Sequence, residues 1–154
     1  MEVVIREMPA MRVATVPHVG PYDQINDAFG KLDAIAGPAG LFERPEAAMV
    51  GIYYDDPQTT PPEALRSEAG LRVAEDVALP AGLESHRLPA GRYACTLHVG
   101  SYDQLGDVWA RLLGEWLPTS GHRLRPGAGF ELYLNDPTQV ATPELRTEIY
   151  QPIA

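Results

Sequence analysis

The sequence predicts an α+β fold: two pseudo-symmetric β-α-β-β repeats in tandem, building an antiparallel sheet with helices on one face and a central cleft. Three observations predict it. The chain matches itself at an offset of eighty residues, so that RVATVPHVGPYDQ at 12–24 falls on RYACTLHVGSYDQ at 92–104. Apolar residues then recur at three- and four-residue steps after each HVG turn, as on one face of a helix. Period-two apolar segments bounded by Pro, Gly and Asp-Pro surround those helices, as in half-buried strands.

The offset holds along almost the whole chain. Pro9 and Ala10 meet Pro89 and Ala90, Tyr53, Asp56 and Pro57 meet Tyr133, Asp136 and Pro137, and Leu65, Arg66 and Glu68 meet Leu145, Arg146 and Glu148. Two repeats, 1–80 and 81–154, follow, divided near Pro80. Each half alone is too short for a generous core, so 154 residues read as one domain whose halves share buried surface.

Each repeat opens on a short strand, 2–8 or 83–88, turned by Pro-Ala. A longer strand follows at 11–18 or 92–99 and is interrupted by Gly20 or Gly100. A helix begins near Tyr22 or Tyr102. In the first copy Tyr22, Ile25, Phe29, Leu32 and Ile35 form its apolar stripe, and Gly37-Pro38 ends it. In the second, Tyr102, Leu105, Val108, Trp109, Leu112, Leu113, Trp116 and Leu117 form the stripe, and Pro118 is the expected stop. Strands near 48–54 and 128–135 end at Asp-Pro, and a last strand starts near 66 or 146.

Composition narrows function. Twenty-one acidic residues against twelve basic ones give a net charge of −9, and the basic residues are scattered, so direct nucleic-acid binding is not expected. Cys95 is the sole cysteine, which excludes an intrachain disulfide and suits a reducing, cytoplasmic setting. The N-terminal MEVVIREMP does not read as a secretory signal, and no segment approaches the length of a membrane helix. The four histidines lack a recognisable ligand spacing, so neither metal nor cofactor is expected. His18 and His98, at matching turns, are expected to hold those turns by hydrogen bonds. Cys95, in mid-strand, is expected to be a buried, inert thiol.

In the strand from Gly129 to Asn135, alternation places Phe130, Leu132 and Leu134 on one face and Glu131, Tyr133 and Asn135 on the other. The apolar set is expected beneath the helices, as are Val50, Ile52 and Tyr54 in the first copy, with Gly51, Tyr53 and Asp55 opposite. Glu131 then has only Gly51 as its counterpart, which leaves room and one negative charge in a symmetric scaffold. That combination suits an aromatic or cationic guest; a glutamate that meets water or an arginine has the same pattern. Trp109 and Trp116 read as core residues, with Trp116, near the helix end, the better placed to wall a pocket.

Over its whole length the chain resembles the GyrI-like small-molecule-binding family, the effector-binding domain of AraC-type and multidrug-responsive regulators. The resemblance is carried by HVGPYDQ at 18–24, YYDDP at 53–57, LPAGRYACTLHVGSYDQ at 88–104, WLPTSG at 116–121, FELYLNDP at 130–137 and PELRTEIYQPI at 143–153. It implies a ligand cleft at the pseudo-twofold axis and places the family's cleft glutamate on Glu131. Tyr133, Trp116, Tyr53 and Gly51 are carried over with it as ligand-binding positions.

The resemblance implies three functions. One is a stand-alone protein that senses or sequesters hydrophobic aromatic or cationic compounds; the repeats use all 154 residues, so no DNA-binding segment is expected. A second is a metal-independent hydrolase of cyclopropane-bearing aromatic toxins. There Glu131 would act as the base, Tyr133 or Tyr53 as the donor and Trp116 as a wall, with burial expected to raise the glutamate above its free value of roughly 4.3. A third is an acidic, protein-binding modulator of DNA gyrase.

Overall fold

The computed structural model describes residues 1–154. Its strands are β1 (Val4–Met8), β2 (Met11–Val19), β3 (Met49–Tyr53), β4 (Arg66–Arg72), β5 (Glu84–Leu88), β6 (Gly91–Val99), β7 (Gly129–Tyr133) and β8 (Arg146–Pro152). They form an α+β fold in which neighbouring strands of each half pair antiparallel. The chain divides into two compact units, Pro9–Ala90 and Met1–Met8 with Gly91–Ala154.

In the unit Pro9–Ala90 the strand order is β3-β4-β2-β5. A 3₁₀ turn at Tyr22–Gln24 leads into helix α1 (Asn26–Ala36), which buries Ala28, Leu32 and Ala36 at four-residue steps. Those residues pack on Ala14, Val16, Ala69 and Leu71 of the sheet. The helix ends at Gly37, whose N–H donates to Asp33 O, as Gly37-Pro38 predicts.

The other unit orders its strands β1-β6-β8-β7. A 3₁₀ turn at Tyr102–Gln104 leads into α2 (Leu105–Arg111), a π segment at Leu112–Trp116 and α3 (Leu117–Ser120). The expected stop at Pro118 is corrected here: the helix runs through the proline to Gly121, whose φ of 79° ends it. The π turn closes with Leu117 N–H on Leu112 O, so Pro118 falls in the first turn of a new α segment. A missing N–H costs little at that position.

The matched turns are built alike. Gly20 and Gly100 have φ near +130°, a conformation open to glycine. The Nε2–H of His18 donates to Pro21 O at 3.1 Å and that of His98 to Ser101 O at 2.9 Å, the turn-holding role read from sequence. Cys95 is buried, and that burial pushes its thiol pKa up, which agrees with an inert role.

The faces of β3 and β7 are the reverse of those expected. Register pairs Gly51 with Ala69 and Glu131 with Ile149, and Ala69 and Ile149 pack in the helix-side clusters. Gly51, Tyr53, Glu131 and Tyr133 therefore lie on the helix face. Phe130, Leu132, Val50 and Ile52 are buried on the other face instead. In the second unit that face is an aromatic cluster: Phe130 stacks on Tyr150 at 4.7 Å, and Tyr93 meets Phe130 edge-on at 5.5 Å. Both faces of these strands are covered, so an apolar alternation alone cannot say which one the helix takes.

The repeat and the compact units divide the chain differently. Strand β1 leads the first repeat yet pairs with β6 of the second, from Val4 on Cys95 to Met8 on Gly91. Strand β5 leads the second repeat and pairs with β2 of the first, from Met11 on Leu88 to Thr15 on Glu84. Each leading strand is thus exchanged. Arg6 of β1 donates to Glu148 at 2.8 Å and to the Tyr150 hydroxyl at 2.7 Å, which ties the exchanged strand across β6 to β8. No helix is long and apolar enough to cross a membrane.

Candidate functional site

The site grows from β7, whose alternation turns Gly129, Glu131 and Tyr133 towards the helix. Glu131 is only 4% exposed. Trp109 of α2 donates its Nε1–H to Glu131 Oε2 at 2.7 Å, and the Tyr133 hydroxyl donates to Oε1 at 2.7 Å. Two donors on two oxygens is the arrangement an acceptor-only carboxylate takes. Both donors are neutral groups, an indole N–H and a phenol O–H.

Trp109 reaches the carboxylate because Gly129 leaves its indole a slot. A Cβ at 129 would stand 2.7 Å from Trp109 Cη2, inside van der Waals contact. Leu105, Leu112 and Ile149 form the apolar floor, against which Trp109, Trp116, Tyr102 and Tyr133 pack. Tyr102 lies 5.5 Å from Tyr133 at a tilt of 60°. Burial, reinforced by the charges of Asp136 and Glu131, pushes the Tyr102 phenol up. Trp116 stacks on His122 at 5.8 Å and 15°.

Of the residues expected at a site, Glu131 and Tyr133 are in direct contact, and Trp116 shares their apolar floor. Gly51 and Tyr53 belong to the unit Pro9–Ala90, where Tyr53 meets Tyr22 edge-on at 4.9 Å. Sequence reasoning left Trp109 in the core and Tyr102 as a packing residue. The usable signal for Trp109 was Gly129, two residues before Glu131 and so on its face, where a helical indole could settle. The first repeat has Gly51 and Phe29 at the positions of Glu131 and Trp109, so it lacks both the acid and the indole donor.

A carboxylate gripped by an indole and a phenol, walled by further aromatics, can hold a cationic or N–H-bearing ring. A carboxylate beside a phenol can also orient a water. No cluster of three or more His, Cys, Asp or Glu side chains is placed to hold a metal ion. A cavity of about 410 Å³ opens elsewhere in this unit, lined by Met1, Val4, Arg6, Leu97, Val108 and Glu148 among others, and it does not include Glu131. That cavity's own charged pair, Arg6 and Glu148, is mutually satisfied.

Comparison with known proteins agrees with this architecture. The chain is 34% identical over 138 residues to the DNA gyrase inhibitor of Yersinia enterocolitica, covering 86% of this chain and 85% of that one. It is 30% identical over 155 residues to the probable transcriptional regulator YgiV of Escherichia coli K12, covering 100% and 97%. The fold matches that of SAV2435 bound to tetraphenylphosphonium with a TM-score of 0.68 at 12% identity, covering 100% of this chain and 94% of that one. The profile of the GyrI-like small molecule binding domain matches residues 1–154. The chain belongs to the GyrI-like small-molecule-binding family.

Proposed function

We propose that the protein binds a hydrophobic aromatic or cationic small molecule against Glu131, with Trp109, Tyr133 and Trp116 as walls, and so senses or sequesters such compounds. The observation that carries this reading is the carboxylate buried among aromatic rings and held by two neutral donors. A buried negative charge of that kind is a strong local preference for a positive or hydrogen-donating guest. The tetraphenylphosphonium bound to SAV2435, a protein of the same fold, is a lipophilic aromatic cation. Calorimetric titration of tetraphenylphosphonium should show binding that Glu131→Gln weakens about tenfold or more, the loss of roughly 1.4 kcal/mol or more. Equal affinities for the two proteins would remove Glu131 from the role.

A second reading is a protein partner, DNA gyrase, favoured by relatives that are DNA gyrase inhibitors. The excess of acidic residues suits a basic protein surface. The purified protein should then slow gyrase supercoiling at physiological salt; a rate unchanged at saturating protein would discard this reading.

A further inference from the structure

Tyr22 and Tyr102 hold the same position of the two repeats, and each opens a 3₁₀ turn. Their hydroxyls differ. That of Tyr22 is anchored, donating to Asp55 O at 2.7 Å and accepting from Asp55 N–H at 3.0 Å. Asn135 stands where Asp55 stands and keeps the same clamp on the next strand, accepting from Arg146 N–H at 2.9 Å as Asp55 accepts from Arg66 N–H at 2.8 Å. The surrounding turn is therefore preserved, yet the Tyr102 ring leans on Tyr133 and its hydroxyl bonds no protein group.

The half-buried ring leaves this hydroxyl open to solvent, so water serves it until a guest takes that bond. The hydroxyl lies where the charges of both Glu131 and Asp136 reach it, and with burial they hold it in the protonated, donating form. The Tyr102 ring leans on Tyr133, whose own hydroxyl bonds Glu131, so a donor and an acceptor stand one ring apart. A guest that answers both carries a positive or N–H group for the carboxylate and an oxygen acceptor for the phenol.

Resting on the small-molecule reading above, we infer that Tyr102 is a specificity-determining residue that selects aromatic ligands bearing a carbonyl or similar oxygen acceptor in addition to the group that faces Glu131. Sites built to hydrogen-bond a particular group reject analogues that lack it more strongly than apolar contacts alone can.

The test uses two tricyclic probes of similar size, acridone, which has N–H and C=O, and N-methylacridinium, a cation without an oxygen. Fluorescence titration of the full chain should show both binding to the wild type and both weakened by Glu131→Gln. Tyr102→Phe should weaken acridone about tenfold and leave N-methylacridinium within about twofold. Tyr22→Phe provides the stability control: loss of its anchor should lower the melting temperature, whereas Tyr102→Phe should not. If Tyr102→Phe alters both probes alike or neither, or melts as early as Tyr22→Phe, the selective role is overturned and the Glu131 reading stands. The selective role is equally overturned if the wild type binds N-methylacridinium but not acridone. If the wild type binds neither probe nor tetraphenylphosphonium, the binding reading itself falls, and the role of Tyr102 with it.

Discussion

Trp109→Phe is expected to weaken tetraphenylphosphonium binding by about tenfold or more and to lower stability by about 1–3 kcal/mol. The substitution removes the Nε1–H that donates to Glu131 Oε2 at 2.7 Å while leaving a ring over the Gly129 slot. A buried carboxylate oxygen that loses a donor bears the desolvation of that oxygen, and the side chain is then freer to turn from the guest. Phenylalanine is a fair replacement because Phe29 occupies the equivalent position of the first repeat's helix. Urea unfolding and calorimetric titration measure the two losses. A double-mutant cycle with Glu131→Gln isolates the contact: the cost of Trp109→Phe should shrink in the Gln background. Unchanged affinity and unchanged stability in the single variant would show that the indole does not support the carboxylate.

The largest effect on stability without any contact to the site is expected from Gly70→Ala. Gly70 lies in mid-β4, facing Thr15 of β2 on one side and Val50 of β3 on the other. A Cβ there would stand 2.4 Å from Val13 Cγ1 and 3.3 Å from the Val50 carbonyl oxygen. Val13 and Val50 are both 0% exposed, so neither has open space into which to retreat. Overpacking of this kind costs about 1–3 kcal/mol, or about 3–10 °C of melting temperature for a chain of this size. Val13→Ala removes the clashing methyl, so the double variant should lose less than the two single losses together. A melting temperature within a degree of wild type for Gly70→Ala would contradict this packing. The second repeat solves the same position in the opposite way, with Tyr150 in place of Gly70 and Tyr93 in place of Val13, both in its aromatic cluster.

Much of the architecture was legible because local chemistry marks it. The HVG turns, the four-residue stripe of α1 and the Asp-Pro strand ends each impose backbone geometry on near neighbours, and the structure has those elements at the expected places. Alternation likewise grouped Glu131 with Tyr133 correctly. What it could not supply was the face, since that depends on which of two covered sides carries the bulkier set. Phe130 went to the aromatic cluster with Tyr93 and Tyr150, Leu132 was buried on the same face, and the acid went beneath the helix. Pro118 misled for a related reason: its effect depends on whether a π turn precedes it, and five residues of π geometry leave no period in the apolar pattern. Trp109 and Tyr102 have the spacing of ordinary core residues; only the slot at Gly129 and the comparison with Tyr22 distinguish them.

The exchange of β1 and β5 sets an order of events on the ribosome. The unit Pro9–Ala90 is one continuous stretch, so every strand of its sheet has been made once residue 88 has emerged. Strand β1 is made before any of them, yet its hydrogen-bonding partners, Gly91 to Cys95, come more than eighty residues later. Throughout that interval residues 1–8 travel as an unpaired strand bearing Val4 and Ile5, the kind of segment that seeks another edge. Arg6 and Glu7 in the same strand interrupt its apolar character and blunt that tendency during the wait. A chain with one repeat alone would have no later strand to offer it. Joining two repeats in one polypeptide makes that partner arrive with every translation.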